Sequence, residues 1–374
     1  MKDYPIKLLK SMLETPSPSG SEAQLAKLLG EHMGSNGLTV RFDRAGNVIG
    51  KLGHSGPRIL LCGHMDTVPG EFPVHHDGGF LYGRGAVDAK SSLAAMLVGA
   101  VEARKRTEIP FSVALACVVE EERSSAGIKA LMDEGAQYDC AVFGEPSGAS
   151  NITVGYKGSL LLELIFRTEG GHSASPWLSR NGFEEASEFW RTLRQSLVNN
   201  DSTSKFEAVT GCVTRATAGE ASNMIPTKAT MEIDLRVPPT MQASQLLQDI
   251  EALAKEYEST HSRVNIESRL KDCTDGFVGP IDSFVVRAFR WAIRRVTGEP
   301  VTLVKKTGTS DANLFAEKYT IPMIVYGPGD SSLDHTNNER ISIREYLNSI
   351  EVYANAIPRL ASLMQTSVAH AEIQ

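Results

Sequence analysis

The chemistry in this chain gathers where short apolar runs end. The run Ile59–Cys62 is followed by His64 and Asp66, then by a Gly/Pro-rich loop that leads through Gly83-Arg84-Gly85 to Asp88. A second run, Ser112–Val119, ends directly in Glu120-Glu121-Glu122, and a third, Asp139–Phe143, ends in Gly144-Glu145-Pro146. A fourth, Pro322–Tyr326, runs into Gly327-Pro328-Gly329-Asp330 and then Asp334-His335. Two imidazoles and several carboxylates, with no cysteine among them, make a hard-to-borderline donor set suited to Zn²⁺, Co²⁺ or Mn²⁺. One catalytic zinc usually takes three protein ligands and a water. Five ligands with one shared carboxylate suit two metals ~3.5–4 Å apart, each with an open position. Glu121 and Glu122 are neighbours, and in an extended chain they would point opposite ways. One is then free to bind metal while the other faces a different part of the site, as the general base of a hydrolysis. Alone, the acidic triplet reads as a solvated strand end. The recurrence at four strand ends makes it a site.

The elements that must hold these groups follow from periodicity. The four runs are short, continuous and apolar, as strands buried on both faces of a parallel sheet are. After Lys90, residues Leu93, Met96, Leu97, Ala100 and Val101 recur at helical spacing, and a helix is expected over about 126–135. Residues 4–14 and 21–33 read as amphipathic helices around the breaker Pro16-Ser17-Pro18-Ser19-Gly20, and 38–43 and 47–52 as two strands. Strand and helix in alternation give an α/β fold, a parallel-rich sheet with crossover helices, whose sites lie beyond the carboxyl ends of the strands. Between the halves the pattern changes to a strand at 160–166, GGHSASP, a helix over 181–198, strands near 206–215 and 228–236, a helix over 242–257 and a strand near 262–269. That is βαββαβ, a ferredoxin-like order inserted into the first domain. The expected division is 1–156 with 273–374 as the catalytic domain and 157–272 as the insert. A polar tail after Met364 is expected to fray.

Composition narrows the function. At 374 residues the chain has room for two domains, and its net charge of -7 argues against nucleic acid and anionic membranes as partners. The five cysteines are odd in number and lack a Cys-x-x-Cys pair, and Cys62, Cys117 and Cys140, inside apolar runs, read as buried free thiols, which fits a reducing compartment. The N-terminal stretch has no apolar core of signal-peptide length, and no run approaches the ~18 apolar residues of a spanning helix. A cytoplasmic protein is expected. GRGAVD lacks the third glycine of a dinucleotide fingerprint.

GHMDTVP (63–69), GRGAVDAKSSLAA (83–95), VVEEERSSAG (118–127), FGEPSG (143–148) and GPGDSSLDHTNNE (327–339) together resemble the dinuclear zinc amidohydrolases and exopeptidases. That family includes acetylornithine deacetylase, succinyl-diaminopimelate desuccinylase and glutamate carboxypeptidase. Further matches, GYKGSLLLEL (155–164), GGHSASP (170–176), ASNMIP (221–226) and TGTSDAN (307–313), resemble the branch that acts on N-acetyl-lysine or on carrier-protein-linked lysine or ornithine. The resemblance implies His64 and Glu145 on one metal, Glu122 and His335 on the other, and Asp88 bridging both, with zinc the first choice and cobalt or manganese the alternatives. It implies Asp66 as the partner that fixes the His64 ring, Glu121 as the base, and a cis peptide bond after Asp88. The family's acidic triplet is commonly Asp-Glu-Glu, whereas here it is Glu120-Glu121-Glu122, and Ser91 stands where the family often has glycine.

Read without the resemblance, His172 is a surface histidine in a Gly/Ser loop. The resemblance implies instead that it enters the partner subunit's site and donates to a developing oxyanion, which makes the insert a lid and the enzyme a homodimer. Arg236 ends a strand with Met231, Ile233 and Leu235 on one face and Glu232, Asp234 and Arg236 on the other. The resemblance implies a carboxylate clamp there, with Asn223, Gly308, Thr309 and Ser310 as further substrate contacts. The expected activity is release of lysine or ornithine from an N-acyl precursor, small or carrier-linked. A dipeptidase or carboxypeptidase on the same ligands is the alternative. A catalytically silent binding protein would need a lost ligand or base, and none is lost.

Overall fold

The computed structural model describes residues 3–371, with side chains through residue 366. The chain divides into two compact units, one of Met1–Val154, Gly279–Val304 and Leu314–Gln374, the other of Gly155–Val278 and Lys305–Asn313. The fold is mixed α/β and contains a large mixed sheet.

The first unit is built on the strands β1 (Thr39–Phe42), β2 (Val48–Leu52), β3 (Arg58–His64), β4 (Ser112–Val118), β5 (Cys140–Phe143) and β6 (Asn151–Tyr156). The late strand Met323–Val325 joins them, in the order β1, β2, β4, β3, β5, Met323–Val325, β6. The four inner members, β4, β3, β5 and Met323–Val325, run parallel to one another. The outer pairings β1–β2, β2–β4 and Met323–Val325 with β6 are antiparallel. The apolar runs identified from sequence are thus the parallel middle of a mixed sheet, buried throughout because helices cover its faces. Helices α1 (Asp3–Leu13), α2 (Ala23–Ser35), α3 (Lys90–Lys105) and α4 (Ala126–Asp133) lie near their expected places. Helix α3 is apolar almost all round and correspondingly buried. It packs on the long C-terminal helix Ile343–Ala371 at Gly99, where an added Cβ would come within 2.4 Å of the Tyr353 Cβ. The tail beyond Met364 continues this helix to Ala371, and residues 372–374 lie outside the described residues.

The second unit holds a four-stranded antiparallel sheet in the order Thr210–Ala218, Lys228–Val237, Gly158–Arg167, Asn265–Thr274. Helices α5 (Gly182–Ser196) and α6 (Ala243–Thr260) bury Phe189, Leu193, Leu246 and Ile250 in a core shared with Leu160, Leu162, Ile233 and Leu235 of the sheet. Strand Lys228–Val237 alternates buried and half-buried residues, which turns Asp234 and Arg236 away from that core. Cys62, Cys117 and Cys140 are buried, and Cys212 and Cys273 are exposed. Among the described residues, no helix is long and apolar enough to cross a membrane.

Candidate active site

The parallel strands deliver their carboxyl ends to one edge of the sheet. His64 is the last residue of β3, level with Val118 at the end of β4, and the Met65 N–H donates to the Val118 carbonyl at 2.8 Å. Glu145 lies two residues beyond β5, where the Gly144 N–H donates to the Cys62 carbonyl at 2.7 Å. Asp88 ends the turn before α3, and its peptide bond to Ala89 is cis.

These residues converge. His64 Nε2 is 3.1 Å from Asp88 Oδ1 and 3.7 Å from Glu145 Oε2. His335 Nε2 is 3.1 Å from Asp88 Oδ2 and 2.7 Å from Glu122 Oε1. The two oxygens of Asp88 therefore face two different imidazoles. Ligand atoms of His64, Asp88 and Glu122 lie within 4.8 Å of one another. His64 and Asp66 are wholly buried and Glu145 nearly so, whereas His335 is half exposed.

The electrostatics are those of anions crowded beside imidazoles. Burial opposes a charge on His64, but the Glu145 charge and the hydrogen bonds to Asp66, Asp88 and Glu145 outweigh it and hold the imidazole well above its usual range. The hydrogen bond to Asp88, more than the charge of Glu122, pushes His335 up to about 9 against partial burial. Burial also opposes the charge on Asp88, yet the bonds to His335 and His64 keep its carboxyl well below the usual range. Glu122 is raised to about 7, first by burial and then by the Asp88 charge.

Asp66 does more than orient a ring. Its carbonyl oxygen is 3.0 Å from His64 Nδ1, closer than its carboxylate, whose Oδ1 stands at 3.5 Å. A carbonyl only accepts, so Nδ1 carries the proton and Nε2 is turned as the ligating nitrogen. The Asp66 carboxylate is used elsewhere: Oδ1 accepts from the Glu121 N–H, and Oδ2 accepts from the Glu122 N–H and the Ser19 hydroxyl, at 2.7–3.0 Å. This corrects the expectation that an extended chain separates Glu121 from Glu122. Strand β4 ends at Val118, Glu120 adopts a left-handed φ of 56°, and 121–124 form a turn. Turn geometry pinned by a buried carboxylate, not strand alternation, sets the two side chains. Both Glu121 and Glu122 are half-buried.

Two positions at this site carried no role in the sequence reading. Glu339 is buried, its Oε1 accepting from the Val87 and Asp88 N–H groups at 2.9 and 3.1 Å and its Oε2 from Arg84 Nη1 at 2.9 Å. It closes the motif GPGDSSLDHTNNE, so its position was visible although its partner, 251 residues earlier, was not. Ser19 belongs to the Pro/Ser breaker before α2 and had no signal beyond turn chemistry.

The remaining candidate residues lie in the second unit, in two groups. His172 is exposed and paired with Met224 in a two-residue ladder, its Nδ1 accepts the Ala174 N–H at 3.0 Å, and the Ser173 N–H donates to the Asn223 carbonyl at 3.1 Å. Arg236 donates from Nη2 to Asp234 Oδ2 at 2.8 Å and from Nη1 to Thr309 Oγ1 at 3.1 Å. Gly308 is exposed, and the Ser310 N–H donates to Asn313 Oδ1 at 3.0 Å.

Residues 60–359 match peptidase family M20/M25/M40. A protein of Pyrococcus abyssi named putative LysW-lysine/LysW-ornithine hydrolase is 36% identical over 359 residues, 96% of this chain and 95% of that protein. The LysW-lysine hydrolase of Deinococcus radiodurans is 34% identical over 94% of this chain and 96% of its own. Among solved structures, a tripeptidase of Staphylococcus aureus superposes with a TM-score of 0.82 at 21% identity, over 97% of this chain and 99% of that one. A family match across most of the chain, relatives above 30% identity over nearly its whole length and a common fold agree: this chain is a member of peptidase family M20/M25/M40 and a hydrolase of amide bonds.

Proposed function

We propose that the protein releases lysine or ornithine by hydrolysing the amide that joins its amino group to a carrier-protein glutamate, in amino-acid biosynthesis, using two divalent ions, zinc first, at the Asp88 site. The observation that carries this reading is the split of one carboxylate between two imidazoles, Asp88 Oδ1 toward His64 and Oδ2 toward His335. A bridging ligand must offer its two oxygens in that way. The donor set is nitrogen and oxygen alone, and the carboxylates that favour a proton on each imidazole would equally favour a divalent ion in its place. The residues thus fit the ions. His64 and Glu145 would hold one, Glu122 and His335 the other, and Asp88 both. When bound, the ions supply Lewis acidity toward the amide carbonyl and toward water.

The chain's own groups carry the protons. Glu121 takes the proton of the attacking water at its carboxylate and returns it to the leaving amine, while Asp66 fixes the turn that holds it. A backbone N–H only donates, so the Ala174 contact makes His172 Nδ1 an acceptor and puts the ring proton on Nε2. That Nε2–H suits donation to the oxyanion, in the site of a partner subunit. The second unit, with its βαββαβ order, then serves as a ferredoxin-like lid and dimerisation domain in a cytoplasmic homodimer. Arg236, oriented by Asp234 and Thr309, presents its guanidinium fork to the α-carboxylate of the substrate, with Asn223, Gly308 and Ser310 beside it. The names of the Pyrococcus abyssi and Deinococcus radiodurans relatives support the lysine or ornithine moiety and its LysW linkage.

The test is a panel of carrier-linked lysine and ornithine, N-acetyl-lysine, N-acetyl-ornithine, succinyl-diaminopimelate and simple dipeptides, followed by release of free amine with Zn²⁺ or Co²⁺ and again after chelation. Metal-dependent turnover of a carrier-linked substrate above the others is expected. Turnover of dipeptides alone would overturn the assignment.

A further inference from the structure

The buried pair Arg84–Glu339 is not among the groups that touch reacting atoms, yet it joins the two segments on which the site depends. Glu339 is 1% exposed and Arg84 7%. An ion pair this deep is a costly way to gain stability alone, because desolvation offsets much of the attraction. Its hydrogen bonds show what it holds. One Glu339 oxygen takes the N–H groups of Val87 and Asp88, and so fixes the backbone on which the Asp88 carboxylate turns. The other takes Arg84 Nη1, which also donates to the Thr336 carbonyl at 3.1 Å, one residue beyond His335, while Arg84 Nε donates to the Gly70 carbonyl at 2.9 Å. The Gly83 N–H adds a bond to the Glu339 carbonyl at 3.3 Å. The turn bearing Asp88 and the loop bearing His335 are clamped to each other.

The clamp reaches the His64–Glu145 position only through the shared Asp88, but the Glu122–His335 position through both Asp88 and the loop that carries His335. His64 and Glu145 stand at the ends of β3 and β5, paired strands that hold their places through the sheet ladder. His335 has no such support. It sits in a loop at a left-handed φ of 62° with its side chain half exposed. A non-glycine residue persists in that conformation only where its surroundings over-determine it. We propose that Arg84 and Glu339 are positioning residues that act chiefly on the Glu122–His335 metal position, the His64–Glu145 position being held mainly by the sheet. This rests on the two-metal reading above.

The experiment titrates Zn²⁺ into metal-free wild-type protein and the variants Glu339→Gln and Arg84→Lys, with zinc per chain measured after equilibrium dialysis and folding followed by circular dichroism in chelator. Glu339→Gln turns an amide N–H₂ toward Arg84 or toward the two backbone donors, and Arg84→Lys keeps the charge but loses the fork, so one variant stands in if the other fails to fold. Binding of the first zinc is expected within about threefold of wild type, and binding of the second to weaken about 10–100-fold, the usual effect of losing an outer partner of a ligand. kcat should return at excess zinc with KM little changed. Equal loss of both zincs, or two zincs bound as in wild type, would overturn the inference. A wild-type protein that binds fewer than two zincs under these conditions would instead remove the two-metal reading on which it rests.

Discussion

Asp66→Asn is the perturbation that most sharply separates a positioned turn from an ordinary acidic loop. The Asp66 carboxylate is fully buried and accepts three hydrogen bonds, from the Glu121 N–H, the Glu122 N–H and the Ser19 hydroxyl. Burial opposes its charge, but His64, Ser19 and the Glu122 N–H together keep the carboxyl below its ordinary range. Asparagine has one acceptor oxygen where aspartate has two. In its better orientation the amide oxygen replaces Oδ2 and keeps Glu122 and Ser19, and the amide N–H₂ then confronts the Glu121 N–H, donor against donor. One backbone donor is orphaned, at a cost of about 1–3 kcal/mol. The turn must shift to relieve it, carrying Glu121 away from its place. Urea unfolding in chelator should show the loss of stability, and kcat/KM on the panel's best substrate should fall about 10–100-fold. The ring of His64 is held by the Asp66 carbonyl, which the substitution leaves in place, so the first zinc should bind nearly as in wild type. Wild-type stability together with wild-type kcat/KM in Asp66→Asn would refute the reasoning.

Three further outcomes follow from other parts of the molecule. Gly99→Ala drives a methyl to within 2.4 Å of the Tyr353 Cβ and 3.1 Å of the Ile350 carbonyl, and should destabilise the metal-free protein by about 1–3 kcal/mol in denaturant titration without altering zinc stoichiometry. Lys157 is buried, and desolvation followed by the charge of Arg236 lowers its ammonium from the ordinary 10.5 to about 8. Between those values the unfolded chain binds the extra proton, so this group makes stability rise with pH across about 8–10.5, and Lys157→Met should flatten that rise in urea midpoints measured from pH 7.5 to 10. His172→Ala should leave both zincs bound and lower kcat about 10²–10³-fold, as loss of one oxyanion donor does, when zinc content and turnover are measured on the same samples.

Much of the architecture was legible because the buried middle of a parallel sheet writes itself as short unbroken apolar runs. Ile59–Cys62, Ser112–Val119 and Asp139–Phe143 each became a strand within a few residues of its expected ends. The outer antiparallel pair expected at 38–43 and 47–52 is also found, but other antiparallel strands were harder to read. Asn151–Tyr156 looks like loop because its glycine and asparagine dilute the pattern, and the three-residue strands His75–Asp77, Phe80–Tyr82 and Arg340–Ser342 exist only through pairing, the last with a partner some 260 residues earlier. At the site, residue types at strand ends were readable. What was not readable is the division of labour within Asp66, whose spacing of two from His64 lets either its carbonyl or its carboxylate meet the ring. Nor could spacing show Glu339, which acts on Asp88 only after the chain has folded back on itself.

The central claim is a pair of ions joined by Asp88. The direct measurement is anomalous diffraction at the zinc edge from crystals grown with Zn²⁺. Two peaks about 3.5–4 Å apart are expected on either side of the Asp88 carboxylate, one beside His64 and Glu145 and the other beside Glu122 and His335. A single peak, or two peaks that do not share Asp88, would contradict that claim.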